Sequence, residues 1–294
     1  MHTDTHYTGK GIGIAFLDTG ISAIADFTKP INRIVAFVDF LYGRTQPYDD
    51  NGHGTHVAGI ACGNGWYADG KYCGAAPQAH IIALKILDAY GQGTSARAIR
   101  AMRWIMDNAA KYNIKVVNLS IGTNDRKIHV PLVEAVDALW QKGIVVTAAA
   151  ANPDGGVCFS PPPLISPNVL SVGTWEDQHY FAALAGKRFA APVLPDVWAH
   201  GENIISALSP DYNFSLPNRS TNNIIDGHYI AMSGASMATP LVSGIAACLL
   251  EQSPHLTPAQ VKAYLCAQAQ QHDGLLTPAL CQESFASSGA DAAI

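Results

Sequence analysis

The sequence predicts an α/β fold: a doubly wound, mainly parallel sheet with helices on both faces, arranged in three layers. Short apolar, β-branched runs alternate with helical patterns along the chain, and this alternation is typical of parallel sheets covered by helices. The 294 residues, 48% of them hydrophobic, are also enough for one α/β domain with a large core.

The predicted elements follow one another without an internal repeat. We therefore expect one domain over residues 1–294, with its core at about 7–268 and a tail at 269–294, and the Pro- and Gly-rich stretch 152–163 as a loop within it. The apolar runs predict strands at residues 12–17, 33–38, 81–86, 114–119, 144–149 and 169–172. Helical periodicity, with an N-cap and proline signal at Thr257-Pro258, predicts helices at 53–62, 95–112, 130–142, 236–251 and 258–268.

Charged residues make up only 14% of the chain, and its net charge is −5. Nucleic-acid binding needs a dense basic face, which this composition does not provide. No apolar run reaches the roughly 20 residues that cross a bilayer, and the polar N-terminus lacks the apolar stretch of a signal peptide. We expect a cytoplasmic protein with no nucleic-acid or membrane partner, or a secreted one if a pre-pro segment precedes this sequence.

The six cysteines are too few for a disulfide scaffold, and no C-x-x-C pair suggests zinc. We expect six thiols, with Cys248 and Cys266 buried on helices. Cys62 and Cys73 flank a loop and would be able to form a disulfide in an oxidising compartment.

The first motif with chemical meaning is GIAFLDTG, in which an apolar strand ends at Asp18. The carboxyl ends of strands in open α/β sheets are where sites are built, so Asp18 is placed for function. An acid at a strand end is equally compatible with a helix cap or a solvated turn, and this motif alone does not decide.

The second motif is DNGHGTHVAG, with His53 between two glycines. These glycines allow other backbone to approach His53 closely. His56 follows three residues later and raises a zinc site as the rival interpretation. The usual zinc pattern, with one residue more between the histidines and a glutamate among them, is absent here and argues against a metal.

The third motif is SGASMATP, which precedes an apolar helix. Ser236 lies where this helix begins, so the positive end of the helix dipole faces its oxygen. The structural alternative is that Ser236 is a plain N-cap. Pro240 is expected in the first turn, where amide groups have no intrahelical partner.

The three motifs together predict a catalytic triad of Asp18, His53 and Ser236. A serine hydroxyl becomes a good nucleophile when a neutral imidazole takes its proton, and a carboxylate fixes the tautomer of that imidazole. The order Asp, His, Ser is that of subtilisin, whereas chymotrypsin and the α/β-hydrolases have other orders. Ser236 also lacks the Gly-x-Ser-x-Gly pattern, because Ala238 stands at its last position.

The segments around Asp18, His53 and Ser236 resemble the three signatures of the subtilase family nearly residue for residue, within a resemblance that covers about residues 7–268. The runs RIVAF and GKYCGAAP are most similar to the intracellular alkaline-type subtilases. The resemblance implies a serine endopeptidase that forms an acyl-enzyme on Ser236 and takes peptide or protein substrates.

The resemblance also implies an oxyanion donor and the substrate-binding segments. Asn152, which follows an apolar strand, is expected to donate to the oxyanion, although Ala151 stands where the family usually has glycine. Substrate backbone is expected to pair with two extended segments, which favours broad specificity, while small or apolar pocket walls favour an uncharged P1 side chain. The implied substrate-binding residues are Gly91, Gln92, Gly93, Ser120, Ile121, Gly122, Ala149, Ala150 and Ala151.

Cofactors and further partners also follow from the resemblance. The chemistry requires no cofactor. The structural calcium ion of the family would have Asp26 as a ligand, although calcium normally takes six or more oxygen ligands and the companion loop, residues 62–73, departs from the family pattern. A pro-region, common in the family, is a further expected partner.

Two other functions remain open at this point. A dedicated maturation protease or a peptide ligase would use the same triad and differ in whether water or an amine attacks the acyl-enzyme. A peptide-binding pseudoprotease would keep the fold without the chemistry, which the presence of Asp18, His53, Ser236 and Asn152 argues against.

Overall fold

In the described part of the chain the central sheet has seven parallel strands in the order β2-β3-β1-β4-β5-β6-β7, which confirms the predicted doubly wound α/β architecture. The structure is a computed structural model, and it describes residues 7–121, 130–150, 166–179, 194–216, 221–277 and 279. The strands of this sheet are β1 (Gly13–Asp18), β2 (Ile34–Asp39), β3 (His80–Lys85), β4 (Ile114–Leu119), β5 (Val145–Ala149), β6 (Leu170–Thr174) and β7 (Val197–Ala199).

Helices lie on both faces of this sheet, and the ends of those that were predicted agree with the observed ends to within two residues. The last of them begins as predicted, with Thr257 as N-cap and Pro258 as its first residue. In the part of the chain that is described, no helix is both long and apolar enough to cross a membrane. The helices are α1 (Ala25–Thr28), α2 (His53–Cys62), α3 (Ser95–Tyr112), α4 (Val130–Gln141), α5 (Ala235–Gln252) and α6 (Pro258–Gln270).

The side chains of β1 show how the three layers form. Ile14 and Phe16 belong to a buried cluster with α2 and α5, whereas Ala15 and Leu17 belong to a second cluster with α3 and α4. Because successive side chains of a strand point to opposite faces, this continuous apolar strand requires a helix layer on each side. The strand order changes direction between β1 and β4, and α/β folds build their sites at such a point.

A second, antiparallel sheet was absent from the prediction. Its strands β8 (Ile204–Ala207), β9 (Ile224–Ile225) and β10 (Tyr229–Met232) pair in the order β8-β10-β9. Strands of two to four residues are too short to display the alternation from which a strand is recognised. The three-residue strand β7 was missed for the same reason.

The cysteines that the structure describes are thiols. Cys248 is buried on α5, as expected, whereas Cys266 is only partly buried on α6. Cys62 and Cys73 are not joined in this structure. The other two cysteines, Cys158 and Cys281, lie outside the described residues.

Candidate active site

The Asp18 carboxylate and the His53 imidazole form a hydrogen-bonded pair at the carboxyl end of β1. β1 ends at Asp18, whose side chain is 1% exposed, and α2 begins at His53, whose side chain is 25% exposed. Asp18 Oδ1 lies 2.8 Å from His53 Nδ1 and also accepts from the Thr19 amide at 2.7 Å. Because Nδ1 donates to a carboxylate, the imidazole is held in the tautomer whose Nε2 accepts a proton.

Glycine on either side of His53 is required by this close packing. Any Cβ at Gly54 would overlap the Gly20 carbonyl oxygen and lie 3.1 Å from the Asp18 Cβ. Gly52, the N-cap of α2, has a φ of 100°, a backbone conformation that other residues rarely adopt. The prediction that these glycines let other backbone approach His53 is confirmed.

Asp49, which was not predicted, holds the turn that leads into α2. It is fully buried, and its Oδ1 accepts from the Thr19 hydroxyl and the Gly52 amide, both at 2.8 Å. Its Oδ2 accepts from the amide and the hydroxyl of Thr55 at 2.8 and 2.7 Å. Burial raises the pKa of this carboxyl, while the donors oppose the rise. Since Thr19 and Gly52 are the chain neighbours of the paired acid and imidazole, Asp49 fixes both in place.

Lys85 is a buried cation beneath the same turn, and it too was missed. Its side chain is 0% exposed. Its ammonium donates to the Thr19 carbonyl, to Asp50 Oδ1 at 2.6 Å and to the Leu87 carbonyl at 3.0 Å, and it lies 5.0 Å from the centre of the Tyr48 ring. A buried ammonium requires such partners, because unpaired burial of a charge is costly. A lysine at the end of the apolar strand β3 was the available signal.

Ser236 lies in the first turn of α5 and is bonded to Ser120, the residue that follows β4. The Ser236 hydroxyl donates to the Ser120 carbonyl at 2.9 Å, and the Ser120 hydroxyl donates to the Ser236 carbonyl at 3.0 Å. Asn118 Nδ2 donates in turn to the Ser120 hydroxyl at 2.9 Å. The end of β4 therefore holds both the backbone and the side chain of Ser236.

Pro240 explains why the Ser236 carbonyl needs a partner outside its helix. In an α-helix that carbonyl would accept from the amide four residues later, but proline has no amide hydrogen. The prediction placed Pro240 in the first turn, where this loss would not matter. Since α5 begins at Ala235, Pro240 lies in the second turn, so that explanation is wrong and the Ser120 hydroxyl supplies the missing donor.

The pairing of β1 with β4 brings the two hydrogen-bonded pairs to one place. Phe16 lies opposite Asn118, so that two residues further on Asp18 is level with Ser120, about 5 Å away across neighbouring strands. This edge is also where the strand order changes direction. The three side chains predicted to act together are thus gathered at the carboxyl ends of β1 and β4.

His56 has a structural place away from this edge. It is fully buried on α2, and its Nε2 lies 3.0 Å from the Ile230 carbonyl and 3.1 Å from the Ile204 carbonyl. Burial lowers its pKa to about 4, although the carbonyl partners oppose this. Among the described residues no group of three His, Cys, Asp or Glu side chains could hold a metal ion, so the rival zinc interpretation has no support at His56.

Gly91 and Gln92 lie in a turn and not in the extended segment that was expected. The Asp88 carboxylate accepts from the amides of Tyr90 and Gln92, both at 2.9 Å, and the Gly91 amide donates to the Asp88 carbonyl at 3.0 Å. Gly91 has a φ of 76°. Because these amides are engaged within the turn, extended pairing with a substrate can begin only at Gly93.

The other predicted substrate-binding residues lie beside the serine pair or outside the described part of the chain. Ser120 is buried and Ile121 partly buried, just after β4. Ala149 ends β5, and the Ala150 amide donates to the Val172 carbonyl at 2.8 Å. The residues outside the described part are Gly122, Ala151 and the predicted oxyanion donor Asn152.

The surroundings of Asp26 do not fit a calcium ion. Its carboxylate accepts from the Tyr229 hydroxyl at 3.1 and 3.2 Å and from the backbone amides of residues 65–67. Burial raises the pKa of this carboxyl against those donors. Calcium requires oxygen ligands, whereas the described groups that face Asp26 are hydrogen-bond donors.

An internal cation lies against the same loop. The guanidinium of Arg33, a residue only 8% exposed, donates to the carbonyls of Asp26, Cys62 and Ala79, the last two at 2.6 and 3.4 Å. Arginine stays charged when buried. It therefore supplies positive charge to carbonyl groups beside the loop for which the resemblance implied a metal.

Comparison with known proteins agrees with this arrangement. The sequence model of the Subtilase family matches residues 9–285. The chain is 38% identical over 280 residues to serine protease AprX of Bacillus subtilis and 33% identical over 260 residues to subtilisin E of the same species. Among solved structures it is similar to a cold-adapted subtilisin-like serine proteinase, with 28% identity and a TM-score of 0.68, and to sphericase, with 27% identity and a TM-score of 0.70.

The matches differ in how much of each protein they include. They cover 88% of this chain but 61% of AprX, and 87% of this chain but 60% of subtilisin E. For both solved structures they cover 90% of this chain and 84% of the other chain. The chain thus spans about three fifths of the length of these curated relatives.

Proposed function

The chain belongs to the subtilase family, and from this we propose that it is a serine endopeptidase whose nucleophile is Ser236. The observation that carries the proposal is the 2.8 Å hydrogen bond between Asp18 and His53 at the sheet edge where Ser236 lies. A buried carboxylate on an imidazole, with a serine at a helix N-terminus nearby, is the arrangement that activates a hydroxyl group.

Acylation begins when the Ser236 hydroxyl turns from the Ser120 carbonyl to His53 and attacks the substrate carbonyl carbon. His53 Nε2 takes the hydroxyl proton as the C–O bond forms, and Asp18 stabilises the imidazolium. The same proton passes to the leaving amine as the C–N bond breaks, which leaves the acyl-enzyme. Water then attacks the acyl carbon while His53 takes its proton. The ester C–O bond to Ser236 breaks, the proton passes from His53 to the Ser236 oxygen, and the carboxylic acid product is released.

The oxyanion of each tetrahedral intermediate is assigned to two donors, the backbone amide of Ser236 and the side chain of Asn152. Ser236 is the second residue of α5, so its amide is among those that have no intrahelical partner, and the helix dipole favours negative charge there. Asn152 follows the end of β5 by three residues in the sequence. Subtilisin itself uses an asparagine in this way.

Broad specificity with a preference for uncharged P1 side chains is part of the proposal. Ala149 and Ala150 are small and apolar, and Ser120 is the only polar side chain among the described residues assigned to the pocket wall. A charged P1 group would lose its hydration there without gaining a partner. Recognition of substrate backbone, which begins at Gly93, does not depend on side-chain identity.

Chromogenic peptides that differ only at P1 test this specificity. The wild type should hydrolyse peptides with Ala, Leu or Phe at P1 with similar kcat/KM and should discriminate against Asp and Lys. The Ser236→Ala protein gives the background rate. A preference for a charged P1 residue would contradict the proposed pocket.

The alternative activities use the same acyl-enzyme and are distinguished by their products. A peptide ligase would give joined or cyclic peptides when an amine nucleophile is present, whereas an endopeptidase gives hydrolysis products. A dedicated maturation protease would cleave one sequence and leave the peptide set above intact. A pseudoprotease would bind peptides and convert none of them.

A cytoplasmic location and a pro-region as folding partner are also proposed. The thiol state of the described cysteines supports a reducing compartment. Six thiols counted under denaturing conditions would agree with this location, and four or fewer would count against it.

A pro-region is tested by refolding the chain alone from denaturant, since recovery of full activity would exclude any need for one.

A further inference from the structure

The aromatic segment, residues 209–214, docks on the turn that leads into α2. Ser209 Oγ donates to the Asp49 carbonyl at 2.8 Å, and the Asn213 amide donates to the Asn51 carbonyl at 3.4 Å. These bonds hold the segment at two points against the residues that precede the imidazole at the start of α2.

Two aromatic rings of this segment lie at the N-terminus of α2. The Tyr212 ring packs directly on Gly52, where any Cβ would overlap it. The Tyr212 and Phe214 rings meet edge to face, with centroids 4.7 Å apart and planes at 69°, a geometry that aromatic pairs prefer. Phe214 is 43% exposed. The pair therefore presents an apolar surface on the residue next to His53.

This surface differs from a single exposed apolar side chain, which is common on proteins and needs no explanation. Tyr212 contacts the Phe214 ring on one side, and the hydrogen bonds of Ser209 and Asn213 fix the backbone. Little conformational entropy would be lost when a ligand covers a ring that is already held. Preformed aromatic surface beside reactive polar groups is typical of a ligand pocket.

The neighbouring loop of Ala89 indicates which part of a substrate this surface would meet. Asn51 lies between the two: its Nδ2 donates to the Ala89 carbonyl at 3.0 Å, and its own carbonyl accepts from Asn213. Under the proposed function the Ala89 loop leads into the segment that binds the acyl side of the substrate. The aromatic segment lies across Asn51 from it, and we assign it to the leaving side. Side chains alternate along an extended chain, so the P1′ side chain lies on the opposite face of the substrate from the P1 side chain.

We propose that Tyr212 and Phe214 form the wall of an S1′ subsite that takes a large apolar side chain. The inference rests on the proposed endopeptidase function and names a substrate preference of the same site. A P1′ phenylalanine placed on Phe214 would remove apolar surface of both rings from water, whereas a P1′ alanine would leave most of the Phe214 ring exposed.

The test uses quenched-fluorescence peptides that differ only at P1′, with Phe or Ala, and a second pair that differs only at P2. The proteins are the wild type, Phe214→Ala and the matched control Trp66→Ala. Trp66 is 49% exposed and lies beyond the far end of α2, a helix of 10 residues that is about 15 Å long. Titration with a fluorophosphonate gives the concentration of reactive sites in each preparation.

The wild type and Trp66→Ala should both prefer P1′ Phe over P1′ Ala by about tenfold in kcat/KM, within the range that apolar pockets achieve. Phe214→Ala should reduce this ratio to near one and leave the P2 ratio unchanged. An unchanged P1′ ratio in Phe214→Ala, or a change confined to P2, would overturn the S1′ assignment. If the wild type neither reacts with the fluorophosphonate nor cleaves any peptide, it is the proposed function that fails, and the inference falls with it.

Discussion

Ser120 and Ser236 exchange two hydrogen bonds, each hydroxyl donating to the carbonyl of the other residue. The exchange joins the end of β4 to the first turn of α5. It also replaces a helical hydrogen bond. The Ser236 carbonyl would normally accept from the amide of residue 240, but Pro240 has no amide hydrogen, and the Ser120 hydroxyl donates to this carbonyl in its place. The sheet therefore helps to position the proposed nucleophile.

Ser120→Ala should lower stability by about 1–3 kcal/mol, because the Ser236 carbonyl is left without a donor in a partly buried place. It should also lower kcat more than it raises KM, since the proposed nucleophile loses a positioning contact. Urea unfolding and steady-state kinetics measure the two effects.

Pro240→Ala provides the matched test, because alanine restores an amide that can donate to the Ser236 carbonyl. In a double-mutant cycle, Ser120→Ala should cost less stability in the Pro240→Ala background than in the wild type, with a coupling of about 0.5–3 kcal/mol. If the stability changes of the two substitutions were strictly additive, the Ser120 hydroxyl and the missing amide of residue 240 would not act on the same carbonyl.

Asp18→Asn should lower kcat by about 10⁴-fold, the loss known for this change in other Asp-His-Ser hydrolases. The amide group of asparagine donates to Nδ1 and so favours the tautomer with the proton on Nε2, which is unable to act as a base. Kinetics at neutral pH measure the loss, and an unchanged unfolding midpoint excludes misfolding as its cause. A loss of kcat below tenfold would show that the hydrogen bond between Asp18 and His53 is not needed for catalysis.

His56 should make stability fall as the pH is lowered. Its pKa is lowered by burial from 6.5 to about 4, so between these values the unfolded chain binds a proton that the folded protein does not. Stability attributed to His56 is therefore complete above about pH 6.5 and decreases toward pH 4, by about 3 kcal/mol in total.

His56→Gln removes this titration and keeps a side-chain donor for the carbonyls of Ile204 and Ile230. The difference in unfolding free energy between wild type and variant should shrink by about 3 kcal/mol from pH 7 to pH 4. Buried carboxyl groups titrate in both proteins and cancel in the difference. A difference that is independent of pH would show that the pKa of His56 is the same in the folded and the unfolded protein.

Arg33→Met should destabilise the protein by about 3 kcal/mol or more, because carbonyl groups of three residues lose a charged donor. Urea unfolding of both proteins measures this loss.

Excess EDTA should shift the unfolding midpoint by the same amount in wild type and in Asp26→Asn, since the described partners of the Asp26 carboxylate are hydrogen-bond donors. A chelator effect present in the wild type and absent from Asp26→Asn would identify Asp26 as a calcium ligand after all.

The layered fold was predictable because each element that builds it gives a clear local signal. β1 to β6 are mainly apolar runs and α2 to α6 show helical periodicity, and the predicted ends agree with the observed ends to within two residues. The motif around His53 also predicted that its glycines allow other backbone to approach closely, and the packing of Gly54 on the Gly20 carbonyl confirms this.

The connections that hold the site were not predictable, because they join residues that are far apart in sequence. Nothing in the neighbouring sequence shows that the Asp49 carboxylate accepts from the Thr19 hydroxyl, or that the Lys85 ammonium donates to the Thr19 carbonyl. The role of Pro240 was misjudged for the same reason: its consequence appears only when Ser120, 116 positions away from Ser236, is brought beside it. Gly91 and Gln92 form a turn because Asp88 accepts from both of their amides, from Gly91 through its carbonyl and from Gln92 through its carboxylate.

The most direct test of the proposed triad is the site at which a fluorophosphonate binds covalently, determined by mass spectrometry of wild type, Ser236→Ala and Asp18→Asn. We predict one adduct on Ser236 in the wild type, none in Ser236→Ala and slow formation in Asp18→Asn, with peptide hydrolysis lost in parallel. An adduct on another residue, or hydrolysis that persists in Ser236→Ala, would contradict the assignment of Ser236 as the nucleophile.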